Sequence, residues 1–198
     1  ISDKINNFKS QKSKSIKEVL ELLLLCGSFK HCDHLSSAGI RELKRLNPID
    51  FNYLHEFNLY QHQKNAYKSD KNAILTAPTG SGKTETSLLW LQNQIKNKGN
   101  GRVFYILPFT ASINAMYERL DEKIPAKIGL IHGKLSSYLE NKFEDDDLVD
   151  EERLKKLKEQ FQSIITPFKV TTPFQLLKNI FAVKGFEKGI FEWVGGYF

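Results

Sequence analysis

The sequence predicts an α/β fold in which helices flank a parallel β-sheet, and two observations carry this prediction. From Leu59 onward, short apolar runs alternate with stretches whose apolar residues recur at helical spacing. A strand, a helix and a second strand in that order form a βαβ unit, whose two strands are parallel. One of the apolar runs leads directly into a glycine-rich turn, which is typical of a strand-to-helix connection.

The chain is long enough for one domain and an appendage, but its composition leaves the ligand open. It has 198 residues, of which 40% are hydrophobic and 12% aromatic, so it can form a buried core. Its formal charge of +6 is found in proteins that bind nucleic acid and in many that do not. Charge alone therefore does not identify the partner.

The hydropathy pattern predicts neither a membrane segment nor a signal peptide. The longest apolar run, Leu22–Cys26, is far shorter than the roughly 20 residues that cross a bilayer. The opening residues, Ile1–Lys14, are polar and lysine-rich and lack the apolar centre of a signal peptide. We therefore expect a cytoplasmic protein with no membrane partner. Because the sequence begins without Met, we also expect it to be a segment of a longer chain.

The individual elements are predicted in chain order. Ser15–Leu25 is expected to be a helix, Cys26–Ser28 a loop, and residues 47–58 a linker, because Asn47-Pro48 disfavours helix and no clean period follows. Four short apolar runs are expected to be strands: Ala73–Ala77, Val103–Leu107, Ile128–Ile131 and Lys169–Thr171. The helices between and after them are marked by apolar residues at i, i+3 and i+7, and begin their stripes at Leu88, Ile113, Leu154 and Phe174.

An acidic run, Glu144–Asp147, continues through Asp150–Glu152 and invites two interpretations. A carboxylate cluster can bind a metal ion, but no apolar strand precedes this run to orient the side chains. The like charges repel one another, and acidic residues favour the first turn of a helix. We therefore predict a solvated loop and a helix start.

The strongest motif is the phosphate-binding loop Ala77-Pro78-Thr79-Gly80-Ser81-Gly82-Lys83-Thr84. Glycines allow the backbone to curl so that its N–H groups point at phosphate oxygens, and the following helix directs its positive end at the same anion. The lysine supplies a cation for the β- and γ-phosphates, and the threonine hydroxyl can bind Mg²⁺. We expect nucleotide binding by Thr79, Gly80, Ser81, Gly82, Lys83 and Thr84, the last two being catalytic. The loop alone does not separate kinases, GTPases, transporters and motor ATPases.

The residues around this loop resemble those of superfamily-two DExD/H helicases, and among these the CRISPR-associated type I helicase–nuclease family. The loop itself is similar to helicase motif I, and Leu59-Tyr60-Gln61 looks like the glutamine motif that reads adenine. The stretch Leu107–Leu120, which begins Leu-Pro-Phe-Thr-Ala-Ser-Ile-Asn, resembles motif Ia of that family. The stretch Val170–Leu177, Val-Thr-Thr-Pro-Phe-Gln-Leu-Leu, resembles its motif Ib.

The resemblance implies a RecA-like motor domain that uses ATP and Mg²⁺ to move along single-stranded DNA. It implies that Gln61 contacts adenine and that the DNA backbone is held by Pro108, Phe109, Thr110, Thr171, Thr172 and Pro173. It further implies a CRISPR RNA-guided surveillance complex as a partner. A bland interpretation of Thr171 and Thr172 as strand residues and a helix cap before Pro173 stays open. His132-Gly133 is likewise either a family feature or an ordinary turn.

The amino-terminal part resembles the last helix of the family's HD nuclease domain. Within Gly27–Ser37, Asp33 matches a ligand of the HD metal pair, which implies a divalent transition metal in the whole protein. The other ligands of that site, including the His-Asp pair, are absent from this sequence. His31 and His34 together with one aspartate do not make a metal cage.

These comparisons of motifs define the expected organisation. Residues 1–46 are expected to be the C-terminal helical part of an HD domain, 47–58 a linker, and 59–198 a first RecA-like domain that stops before the Asp-Glu (Walker B) motif. The segment alone is expected not to hydrolyse ATP. Two other functions stay open: another superfamily-two helicase acting on DNA or RNA, and a non-catalytic nucleotide- or nucleic-acid-binding fragment.

Overall fold

The computed structural model describes residues 15–143 and 151–198. The expectations for the opening segment and for the loop 144–150 lie outside these residues, but the expected helix start after that loop is confirmed, since a helix begins at Glu151 with Glu151 and Glu152 in its first turn. The chain divides into two compact units. The smaller unit contains the described residues up to Arg41 together with Leu176–Val194, and the larger unit contains Glu42–Gln175 with Gly195–Phe198. This division differs from the expected one, in which all of 59–198 forms one domain.

The smaller unit is built on a close pair of helices. Helix α1 (Ile16–Ser37) begins with a capping box, in which the Ser15 hydroxyl accepts from the Glu18 N–H at 3.2 Å and the Glu18 carboxylate accepts from the Ser15 N–H at 3.0 Å. The expected loop Cys26–Ser28 lies inside this helix. Gly27 is buried in this helix. A Cβ at its position would lie 2.3 Å from the Glu187 carbonyl oxygen of the partner helix, Phe186–Trp193. The glycine thus permits close helix packing and does not mark a turn.

Among the described residues, the larger unit contains three parallel strands with helices around them. The strands are β1 (Val103–Ile106), β2 (Ile128–Ile131) and β3 (Phe168–Thr171), in the order β1-β3-β2. The helices that follow α1 along the chain are α2 (Gln61–Lys68), α3 (Lys83–Lys98), α4 (Thr110–Lys123), α5 (Leu135–Lys142), α6 (Glu151–Gln162), α7 (Pro173–Ile180) and α8 (Phe186–Trp193). The predicted α/β class with a parallel sheet is confirmed. No helix among the described residues is long and apolar enough to cross a membrane.

The expected first strand, Ala73–Ala77, is wrong. Over the residues that the structure describes, this segment pairs with no strand, and Ile74 is 99% exposed. Ala73 and Leu75 line a groove of about 460 Å³ together with residues of β1. An apolar run becomes a strand only where a neighbouring strand shares its hydrogen bonds, and this segment has no such neighbour among the described residues.

The stretch expected to be a linker is part of the core. Residues Pro48–Glu56 form a 3-10 helix, capped where the Asp50 carboxylate accepts from the Asn47 N–H at 2.7 Å. Phe51 and Leu54 are three residues apart, so they share one face of a 3-10 helix, and both are almost completely buried.

Candidate functional site

The phosphate-binding loop has the backbone conformation that its glycines allow. Gly80 and Gly82 have φ angles of +82° and +74°, in the left-handed region that side chains disfavour. Helix α3 begins at Lys83, directly after Gly82, so its N-terminal N–H groups adjoin the loop. The Gly82 carbonyl accepts from the N–H and the hydroxyl of Thr86, at 2.9 and 2.7 Å. The turn is therefore held at its C-terminal end by the helix.

The loop lysine folds back over the loop. The Lys83 ammonium donates to the carbonyl oxygens of Ala77 and Pro78 at 3.1 and 3.0 Å. The Ser81 hydroxyl donates to the same Pro78 oxygen at 2.7 Å, which closes the turn. Lys83 is exposed, so its cation is accessible to an anion and can exchange these carbonyls for phosphate oxygens.

The residues present fit Mg²⁺ when it arrives with a nucleotide. Thr84 is half-buried next to Lys83, and its hydroxyl oxygen is the hard type of ligand that Mg²⁺ prefers. Within residues 15–143 and 151–198, no group of three or more His, Cys, Asp or Glu side chains can hold a metal by itself. Most ligands of the ion would therefore be phosphate oxygens and water. Asp33, the expected HD ligand, is exposed on α1 in the smaller unit.

The first turn of α2 contacts the loop through residues that the motif search missed. His62 donates from Nε2 to the Ser81 carbonyl at 3.0 Å. Gln63 is 5% exposed; its Oε1 accepts from the Tyr60 N–H at 2.9 Å, and its Nε2 approaches the Gly82 carbonyl at 3.4 Å. These two side chains join the glutamine-motif helix to the phosphate loop.

Gln61, which is expected to read adenine, does not contact the phosphate loop as His62 and Gln63 do. Its side chain is exposed and its amide donates to Asn65 Oδ1, one turn along the same helix, at 2.9 Å. The sequence did contain a signal for Gln63, because Ala66 and Tyr67 follow it at i+3 and i+4 and are the apolar residues of this short polar helix. Both are half-buried in the structure, so Gln63 shares the inward face of the helix.

The two expected DNA segments share one edge of the sheet. In the register of the sheet, Ile106, Thr171 and Ile131 are paired across β1, β3 and β2. Since the strands are parallel, the chain leaves each of them at the same edge. Pro108–Thr110 and Thr172–Pro173 therefore follow neighbouring strands. Lys83 lines the same groove as Leu107, so the phosphate loop also lies near this edge.

The side chains at this edge differ in exposure. Pro108, Phe109 and Pro173 are exposed, and Thr110 and Thr172 are half-buried. Thr171, by contrast, is 1% exposed, and its hydroxyl donates to the Ile131 carbonyl at 3.0 Å. This bond joins β3 to β2. Thr171 therefore lies inside the sheet, which agrees with its interpretation as an ordinary strand residue.

His132 directly follows β2 and shapes the turn into α5. It is 5% exposed, and its Nδ1 accepts from the Lys134 N–H at 3.1 Å, which places the proton of the neutral ring on Nε2. Nε2 is buried and has no hydrogen-bond partner among the residues that the structure describes. Burial lowers the pKa of His132, because the charged ring would lose its hydration. The geometry favours a neutral turn residue.

Comparison with known proteins agrees with these features. The family model for DEAD/DEAH box helicases matches residues 60–191, which include the phosphate loop and both edge segments. The chain is 33% identical over 147 residues, or 73% of its length, to the CRISPR-associated nuclease/helicase Cas3 of Methanocaldococcus jannaschii, of which it spans about 20%. No solved structure matches the chain significantly. The chain belongs to the DEAD/DEAH box helicase family.

Proposed function

We propose that this chain forms the ATP-binding part of a motor that moves along single-stranded DNA and supplies it to an HD nuclease in CRISPR interference. The observation that carries the proposal is the position of Lys83 and its loop beside the edge where Pro108–Thr110 and Thr172–Pro173 leave the sheet. The similarity to a nuclease/helicase supports the CRISPR role.

In this proposal the loop binds the nucleotide in three ways. Backbone N–H groups of the loop and of the first turn of α3 donate to phosphate oxygens, and Lys83 neutralises their charge. Mg²⁺, when bound with Thr84 as a ligand, supplies further neutralisation of the phosphate charge. His62 and Gln63 hold the loop in place, and the exposed amide of Gln61 is available to adenine.

Nucleotide and DNA communicate through short structural connections. An ion pair joins Glu85, two residues after the loop lysine, to Arg119 of α4. Helix α4 begins at Thr110, within the proposed DNA segment. In this proposal the ion pair and α4 link the nucleotide loop to the segment that holds the DNA backbone.

The nuclease part of the proposal rests on the smaller unit. We propose that residues 1–46 belong to an HD domain in which Asp33 is one ligand of a divalent transition metal, with the other ligands supplied from elsewhere in the protein. A Cas3-like role adds the RNA-guided surveillance complex as a partner and a cytoplasmic location. In the full-length protein, Asp33→Asn should abolish metal-dependent cleavage of single-stranded DNA and leave ATP hydrolysis intact; unchanged cleavage would contradict the assignment.

The proposed ATP binding is tested by removing the cation of the loop, Lys83. In the full-length protein, Lys83→Ala should abolish measurable ATP binding in calorimetry and the ATPase activity that single-stranded DNA stimulates. Lys96→Ala is the matched control, since Lys96 is an exposed lysine near the other end of the same helix. Equal ATP affinity in Lys83→Ala and the unmodified protein would show that the loop does not bind the nucleotide.

A further inference from the structure

Three exposed residues occupy equivalent positions at the carboxyl edge of the sheet. The last paired residues of β1, β3 and β2 are Ile106, Thr171 and Ile131. Three positions further along each chain segment stand Phe109, Phe174 and Lys134, respectively. Adjacent strands lie about 4.8 Å apart, so the three residues follow one another across the edge in the order of the strands.

Both phenylalanine rings are presented to solvent from a fixed backbone. Phe109 is 70% exposed and Phe174 is 74% exposed. Phe109 is the N-cap of α4, and its carbonyl accepts the first helical hydrogen bond, from Ile113, at 3.1 Å. Phe174 lies in the first turn of α7. Burying a phenylalanine gains roughly 1.5–3 kcal/mol, so two exposed rings at neighbouring positions of one sheet edge are candidates for contact with a ligand.

The polar groups around the rings indicate which ligand this is. Thr110 follows one ring and Thr172 precedes the other by two positions, and both threonines are half-buried. Lys134 is exposed at the third position of the same edge. Ile180 and Phe181 are also exposed further along the chain from Phe174, but at the sheet edge the rings stand beside threonines and a cation, which suits a strand of alternating bases and phosphates.

We propose that Phe109 and Phe174 stack on unpaired bases, and that Lys134 contacts a phosphate beside them. The inference rests on the proposed function and adds a mode of contact to it, since bases in a duplex do not expose their faces. Stacking tolerates any sequence because every base has a π-face, so the contact suits a motor that moves along DNA.

The test compares a strand that has bases with one that has none. The full-length protein is titrated with an oligothymidylate of roughly 20 nucleotides and with an abasic oligomer of the same length. Phe109→Leu combined with Phe174→Leu keeps apolar side chains but removes the ring faces. Two stacking contacts of about 1 kcal/mol each predict ~30-fold weaker binding of oligothymidylate and unchanged binding of the abasic oligomer.

Control variants separate stacking from other effects. Phe181→Leu changes a ring that is 73% exposed two turns further along from Phe174, and should leave both affinities unchanged. Phe109→Trp combined with Phe174→Trp keeps aromatic faces and should retain the affinity for oligothymidylate. Lys134→Ala should reduce the salt dependence of log K for both oligomers by about 0.7.

Each outcome decides a separate statement. Unchanged oligothymidylate affinity in the double leucine variant would overturn the stacking inference and assign the rings to a protein-docking surface. An equal loss on the abasic oligomer would also overturn it, because the variant would then have damaged the backbone contacts. If the unmodified protein binds neither oligomer, the proposed function itself fails.

Discussion

Alanine at Gly82 should destabilise the protein more than alanine at Gly80, although both glycines have left-handed φ angles. An L-residue in that conformation costs about 1–2 kcal/mol, and this cost applies equally to both positions. A Cβ at Gly80 meets no atom of the described residues within 4 Å, whereas a Cβ at Gly82 would lie 2.5 Å from Gln63 Nε2. Gln63 cannot simply move, because it is buried and hydrogen-bonded to Tyr60 and Gly82. Losing these two bonds adds about 1–2 kcal/mol for Gly82→Ala.

Urea unfolding of the chain measures this difference, with Gly80→Ala as the matched control. Gln63→Ala supplies the third variant, since it removes the atom that the new Cβ would meet. The double variant Gly82→Ala with Gln63→Ala should lose less free energy of unfolding than the sum of the two single losses. The difference, which is the coupling between the two sites, should be about 1 kcal/mol or more. Equal destabilisation by the two glycine substitutions, or strict additivity with Gln63→Ala, would refute the clamp between α2 and the loop.

Three further predictions concern the DNA segments, the core and the buried histidine. Thr110→Val with Thr172→Val removes two hydroxyls worth about 1 kcal/mol each, so single-strand affinity in the full-length protein should fall while calorimetric ATP affinity stays; equal DNA affinity would contradict the groove. Phe51→Ala should cost about 3–5 kcal/mol in urea unfolding, whereas Ile49→Ala, on the exposed side of the same 3-10 helix, should cost under about 0.5; similar values would return this helix to a linker. Burial lowers the pKa of His132, so the unfolded chain binds more protons than the folded chain just below the unfolded pKa. The free energy of unfolding should therefore fall as the pH drops below about 6.5. In thermal unfolding, His132→Gln should lose less stability on acidification than the unmodified chain.

The sequence by itself determined the features that depend on local spacing. The curled backbone of the phosphate loop was predicted from its glycines, because glycine adopts a left-handed backbone without strain. Both Gly80 and Gly82 have left-handed φ angles. The strand at Ile128–Ile131 was predicted with the bounds that the structure has, because the short apolar run is bounded by polar residues on both sides.

Only the tertiary structure decided which groups meet. Ala73–Ala77 has the composition of a strand but pairs with none in the described part of the chain, because pairing depends on a neighbour that local sequence does not encode. The hydroxyl of Thr171 donates across the sheet and Gln63 contacts the loop, because burial and direction are set by packing between elements distant in sequence. Residue type and spacing therefore specified the chemistry available, and the packing of α2 and β2 against their neighbours assigned it to particular side chains.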